Sequence, residues 1–464
     1  MRFHFSHPFL YSFIEKSTYG RKGDEIVTGA RYDWTVTSMK LFINIQLWLY
    51  LKKKYDMVYY NKNLRGVEKM ISEKMKQLVA GSSIIRAMFE EGKKLAAIHG
   101  KENVFDFSIG NPSVNPPEQV KEAMIKIATN EDATFLHGYT SNEGYGDVRK
   151  KIADHENKLH STNYNETNII MTVGAAGGLN VIFKALLNPE DEVIVFAPFF
   201  GEYKNYISNF GGKTVVVSPD VPNFQLNLEE FERKITKKTK AVIINNPNNP
   251  TGVVYSEDTI KKLSKVLEDK QKEFETDIYL ISDEPYRELV YGEVKVPYIP
   301  AFYPNTIIGY SYSKSLSLPG ERIGYLTIPD TVSDVNDVKA AASVATRILG
   351  YVNAPTFMQR TIAECLDAKV DVEIYNKNRE LFYEGLTKMG YECVKPDGAF
   401  YLFVKALEAD DVAFSNKAKE KNVLVVPGVS FGCPGYVRIA YCVDYEMIKR
   451  ALPVFEQLAK EYQK

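Results

Sequence analysis

The chain has 464 residues, 45% of them hydrophobic and 25% charged, with a formal net charge of −1. That balance is ordinary for a globular protein and demands no polyanionic partner, so nucleic-acid binding is not expected. A single hydrophobic core stops growing at roughly 250 to 300 residues, so two or three domains are expected.

In residues 1–69 aromatic side chains are scattered without a period and basic residues outnumber acidic ones. The most apolar run, LFINIQLWLYL at 41–51, is about half the roughly 20 residues that a membrane-spanning helix needs. It carries no signal-peptide cleavage pattern, so no membrane association is expected. The junction RGVEKM at 65–70 can be encoded by a purine-rich run just ahead of an ATG, as in a bacterial ribosome-binding site. The expectation is that Met70 is the native start and that residues 1–69 are an extension, with a poorly ordered leader or a small partner-binding module as the alternative.

Periodicity begins near Met70, and from Val120 onward helical and strand patterns alternate. Strands are predicted over 168–173, 192–196, 214–217, 241–245, 278–282, 306–311 and 324–328. Most are continuous apolar runs separated by helices such as 177–187 and 259–268, the pattern of a largely parallel sheet buried on both faces. After Asp334 come a long helical region, a helix at 372–389, a strand pair around 392–403 and a strand at 423–426. The fold class is therefore α/β, with a smaller α+β domain. Predicted boundaries are 70–115 for an N-terminal arm and part of the small domain, 116–349 for the large domain and 350–464 for the small C-terminal domain. Cys365, Cys393, Cys433 and Cys442 form no CxxC pair and have few histidines nearby. They read as reduced core thiols of a cytoplasmic protein, with no metal site.

Chemistry is expected in the loops after the strands. The first strand runs into Gly174-Ala175-Ala176-Gly177-Gly178 and a helix, where exposed backbone N–H groups can bind phosphate, although a small-residue turn can also serve only close packing. Asp283, in Ser282-Asp283-Glu284-Pro285-Tyr286, stands at the carboxyl edge of the sheet and would be partly desolvated unless a cation met it. In Ser311-Tyr312-Ser313-Lys314-Ser315-Leu316, followed by Arg322, an amine, hydroxyls and a guanidinium converge. A lysine held dry at a strand terminus loses proton affinity and becomes nucleophilic.

At these residues the chain resembles the fold-type I pyridoxal-phosphate (PLP) aminotransferases of class I/II, over essentially all of residues 70–464. The resemblance rests on NPS at 111–113, YTSNEGYG at 139–146, TVGAAGG at 172–178, APFFGEY at 197–203, NNPNNPTG at 245–252, SDEPYREL at 282–289, SYSKSLSLPGERIGY at 311–325 and YVRIAY at 436–441. It implies pyridoxal 5′-phosphate held by Lys314 as a Schiff base, with Asp283 on the pyridinium nitrogen and Asn249 and Tyr286 on the phenolic oxygen. Phe200 would stack on the ring, Ala175, Ala176, Ser311 and Arg322 would hold the phosphate, and Ser313 would be a further cofactor-binding residue. Tyr139 would reach that phosphate from the neighbouring subunit of a twofold homodimer. Arg438 would bind the substrate α-carboxylate, and Gly110 and Asn249 would be further substrate-binding residues.

The implied reaction moves an amino group between an L-amino acid, aspartate or alanine favoured, and a 2-oxo acid such as 2-oxoglutarate, by a ping-pong mechanism. Lys314, Asp283 and Tyr286 would be its catalytic residues. Arg347 is the candidate for a distal substrate carboxylate, with a helix-surface role as the alternative. Alternative readings are a PLP-dependent carbon–sulfur β-lyase of the cystathionine type, or a regulator with an aminotransferase-like domain. The latter finds no helix-turn-helix pattern in residues 1–69.

Overall fold

The computed structural model describes residues 71–80 and 84–463. The expectations for residues 1–69, including the start at Met70 and the apolar run at 41–51, lie outside the described residues. The chain divides into two units after Gly81; the described part of the first is the helix Glu73–Ala80, and the second holds the sheets and the cavity.

Twelve strands are described: β1 Phe105–Asp106, β2 Ile169–Thr172, β3 Glu192–Phe196, β4 Lys213–Val217, β5 Thr239–Asn245, β6 Tyr279–Asp283, β7 Thr306–Ser311, β8 Gly324–Thr327, β9 Tyr401–Lys405, β10 Val423–Leu424, β11 Val426–Pro427 and β12 Tyr436–Ala440. Seven form the main sheet in the order β2-β8-β7-β6-β5-β3-β4, and only β8 runs antiparallel to its neighbours there. The seven predicted strands of this sheet are all present, shifted by no more than two residues at an end.

Successive side chains of a strand point to opposite faces, and both faces here are covered. Val193, Val195, Ala241, Ile243 and Ile281 pack on one face with Leu179, Ile182 and Phe183 of helix Gly174–Leu186 and with Val338 and Ala342 of helix Val335–Ile348. Ile194, Phe196, Val242, Ile244 and Leu280 pack on the other with Phe231, Ile260, Leu263 and Leu267. That is why these strands read as unbroken apolar runs. Helix Glu257–Phe274, which carries Ile260, Leu263 and Leu267, starts two residues before the predicted 259–268, where the Ser256 side chain caps it by accepting from the Thr259 N–H at 3.1 Å, and runs six residues beyond it.

Toward the C-terminus, β12 lies between β11 and β9, antiparallel to both. This sheet packs with helices Val372–Lys388 and Tyr445–Tyr462 around Phe382, Phe400, Leu402, Ile439 and Phe455, and Phe105 and Phe107 belong to the same core. Two elements differ from the predicted ones. The strand pair around 392–403 is one strand, β9, whose ladder partner is β12; Cys393 makes an isolated bridge to Val404, and the intervening turn at Pro396 and Gly398 docks on the backbone of Gly252 and Leu289 instead. The strand at 423–426 is split, because β10 pairs in parallel with β1 and β11 pairs antiparallel with β12.

Because β3, β5, β6 and β7 are parallel, Phe196, Asn245, Asp283 and Ser311 end at one edge of the sheet. That edge is where an open α/β sheet offers room for a ligand.

Candidate active site

A cavity of about 360 Å³ opens at this edge. Gly110, Ala175, Ala176, Phe200, Asn249, Asp283, Tyr286, Ser311, Ser313, Lys314, Arg322 and Arg438 all line it. Tyr139 does not; it is 89% exposed. Arg347 sits exposed in the last turn of helix Val335–Ile348 and does not line the cavity either.

Lys314 follows β7 in the short helix Tyr312–Ser315, whose first turn is capped by the Ser311 hydroxyl accepting from the Ser313 N–H at 3.2 Å. Its Nζ donates to the Gly110 carbonyl at 2.6 Å. Burial pulls the Lys314 amine down to about 8; the Cys442 thiol opposes this, and the charges of Arg438 and Arg322 reinforce it. At pH 8 about half of such amines are neutral, whereas a solvated lysine is almost wholly protonated.

Asp283 ends β6 and is buried. The Tyr203 hydroxyl donates to its Oδ2 at 2.5 Å, while Oδ1 has no hydrogen-bond partner. Burial pushes the carboxyl up to about 7, against the Tyr203 bond. A buried carboxylate with an unused oxygen beside a cavity is suited to a cationic N–H. On the neighbouring strand Asn245 donates to the Asp283 carbonyl at 2.8 Å and accepts from the Asn249 N–H at 2.7 Å, which fixes the turn carrying Asn249.

At the opposite side, helix Gly174–Leu186 starts without a side-chain cap, so its first N–H groups, including those of Ala175 and Ala176, are available to an anion. Gly174 has φ 67, and a Cβ there would stand 2.7 Å from Nη2 of Arg322, so glycine lets the guanidinium approach the helix end. Ser311 and Ser313 share a hydroxyl–hydroxyl bond of 2.7 Å beside it. These are the donors of an anion cradle.

Arg438, in the middle of β12, is 3% exposed and has no carboxylate partner among the described residues. Nη2 donates to the Ser108 carbonyl at 2.6 Å and Nη1 to Oδ1 of Asn249 at 3.0 Å. Nε has no partner.

Sequence reasoning missed Tyr203, Asn245, Ile109, Tyr206 and Tyr401. Tyr203 stood in the quoted APFFGEY, three residues after Phe200, and Asn245 pairs in register with Asp283 at the same strand edge. A rule that asks for the polar residue closing each apolar parallel strand would have found Asn245.

Residues 102–455 match the aminotransferase class I and II family, to which the chain belongs. It is 33% identical to a probable aspartate/prephenate aminotransferase of Aquifex aeolicus, over 77% of this chain and 92% of that protein. With an aspartate aminotransferase of Thermotoga maritima it shares 32% identity, over 83% and 98%. Among solved structures it is similar to an amino transferase from Eubacterium rectale, with 52% identity, a TM-score of 0.83 and coverage of 85% and 100%. The Thermus thermophilus aspartate aminotransferase with maleate gives 29% identity, a TM-score of 0.72 and coverage of 81% and 96%. The chain is thus an enzyme of the PLP-dependent aminotransferase type with the fold-type I architecture. The cavity fits that cofactor: an amine for its aldehyde, an unpartnered carboxylate oxygen for its ring nitrogen and an anion cradle for its phosphate.

Proposed function

We propose that the enzyme transfers the amino group of an L-amino acid, aspartate or alanine favoured, to a 2-oxo acid such as 2-oxoglutarate, in ping-pong fashion. The observation that carries this reading is one cavity lined by a lysine amine, an unpartnered aspartate oxygen and a buried arginine without a carboxylate. Ala175, Ala176, Ser311, Ser313 and Arg322 would hold the cofactor phosphate, Phe200 would cover the ring, and Asn249 and Tyr286 would bond its phenolic oxygen. When bound, the cofactor supplies a conjugated ring that withdraws the electron pair left at the substrate Cα.

Arg438 binds the α-carboxylate through its planar fork, with Asn249 and the Gly110 segment beside it. Lys314 Nζ takes the Cα proton; burial, which keeps a large fraction of its amine neutral near pH 8, supports that role. Asp283 keeps its charge against the ring nitrogen, and Tyr203 orients it. A twofold homodimer, in which the exposed Tyr139 reaches the neighbouring subunit's phosphate cradle, completes the reading. Free thiols at Cys365, Cys393, Cys433 and Cys442 favour a reducing compartment, and we assign the enzyme to the cytoplasm. Residues 116–349 would form its large domain and 350–464 the small C-terminal one, joined by part of 70–115.

The test is a single-substrate reaction without acceptor. Cofactor-loaded enzyme mixed with one amino acid is expected to release one 2-oxo acid per site and stop, with its visible band near about 420 nm lost. Continued release of pyruvate and ammonia would establish a β-lyase instead.

A further inference from the structure

Tyr401 is among the cavity-lining residues that lie outside the motifs above. Tyr401 opens β9, is buried, and touches three segments that are far apart in the chain. Its hydroxyl lies 3.0 Å from that of Tyr286. Its ring lies 4.6 Å from the Arg438 guanidinium carbon, with the Phe431 ring 4.9 Å from the same atom. The hydroxyl also presses on Gly110, where a Cβ would stand 2.0 Å away, and the Gly110 carbonyl receives the Lys314 amine.

We propose that Tyr401 is a positioning residue that joins the guanidinium of Arg438 to the phenol of Tyr286, its ring holding the first and its hydroxyl directing the second. This rests on the function proposed above, in which Tyr286 meets an anionic oxygen of the cofactor. Each phenol has one proton to give, and each finds no other hydrogen-bond partner among the described residues than the other. If Tyr286 donates to Tyr401, the Tyr286 proton is spent and the cofactor oxygen assigned to it above goes without that bond. If Tyr401 donates to Tyr286, the Tyr286 proton is free for an acceptor in the cavity and both groups are satisfied. The second arrangement also strengthens Tyr286 as a donor, because a hydroxyl that accepts a bond gives a better one. Burial keeps both phenols protonated at neutral pH. The ring acts separately: Arg438 flanked by two aromatic faces keeps its plane without a carboxylate to hold it.

Two variants separate the two parts. Tyr401→Phe keeps the ring and deletes the hydroxyl, and Tyr401→Leu deletes both. The readouts are the pH midpoint of the visible band of the cofactor-loaded protein and the KM for the amino acid. A donor bond to an anionic oxygen disfavours protonation next to it, so loss of the Tyr401 hydroxyl moves the midpoint upward by about half to one pH unit, the equivalent of one ordinary hydrogen bond. For Tyr401→Phe the KM stays within about twofold, and for Tyr401→Leu it rises roughly tenfold. A Tyr401→Phe protein with a wild-type midpoint overturns the inference, even if Tyr401→Leu does not fold. A wild-type protein with no visible band at all would instead overturn the proposed function.

Discussion

Two groups of buried charge share the segment Ser282-Asp283-Glu284-Pro285-Tyr286-Arg287, and they are built on opposite principles. At its far end Arg287 makes paired bonds to Glu156, Nη2 to Oε1 at 2.8 Å and Nη1 to Oε2 at 3.1 Å. Tyr325 also donates to Glu156 at 2.8 Å, and the guanidinium covers the Tyr310 ring at 4.5 Å. Burial alone would raise the Glu156 carboxyl, but the Arg287 charge and bonds outweigh it and hold it below its usual value. At the near end Asp283 has an oxygen with no partner and is pushed up to about 7 by burial, and across the cavity Lys314 is pulled down to about 8. Matched charges staple the helix Gly146–His160 to the sheet edge, whereas unmatched ones are left for ligands to complete. Buried charge is costly unless paired, so the unpaired set marks where binding energy is recovered.

The largest effect is expected at Lys314. Lys314→Ala is expected to lower turnover by at least about 10⁴-fold and to remove the visible band, with little change in unfolding temperature, as steady-state assays and thermal melts will show. On the matched side Glu156→Gln should cost about 3 kcal/mol of stability in urea melts, because it removes the carboxylate that makes paired bonds to buried Arg287 and leaves only the longer contacts to Glu284 at 3.5 Å and Glu288 at 3.3 Å, while turnover per folded molecule is kept. A Glu156→Gln protein as stable as wild type would remove the contrast.

Asp283→Asn sharpens the contrast through its sign. The folded-state carboxyl is raised to about 7, so the stability it confers when protonated is present below the unfolded value and lost as pH rises through 7. The cofactor-free Asn variant should therefore be more stable than wild type by on the order of 2 kcal/mol above pH 7, with the gap closing toward pH 4, while catalysis falls about 10²-fold or more. The smallest effect is at Arg438: Arg438→Lys keeps the charge but loses the fork, raising the amino-acid KM about tenfold with little change in stability.

Most of the main sheet was legible because its strands are buried on both faces, so each reads locally as an apolar run with a polar residue at its end. Asp283 and Ser311 are such end residues, and their motifs made them visible. Where pairing is decided by distant partners, local reading failed: nothing within 423–427 shows that β10 will join β1 while β11 joins β12. Tyr401 escaped notice for a related reason. In the run Ala399-Phe400-Tyr401-Leu402-Phe403 a tyrosine looks like one more core aromatic, and its role rests on Tyr286, Arg438 and Gly110, each far away in the chain.

The Lys314 amine just after β7, which has no carboxylate partner among the described residues, is the proposed attachment point of the cofactor. The most direct measurement is peptide mass mapping after borohydride reduction of the cofactor-loaded protein. The expected result is the mass of the reduced cofactor on Lys314 and on no other lysine. Its appearance on a different lysine, or on none, would contradict the assignment of the site.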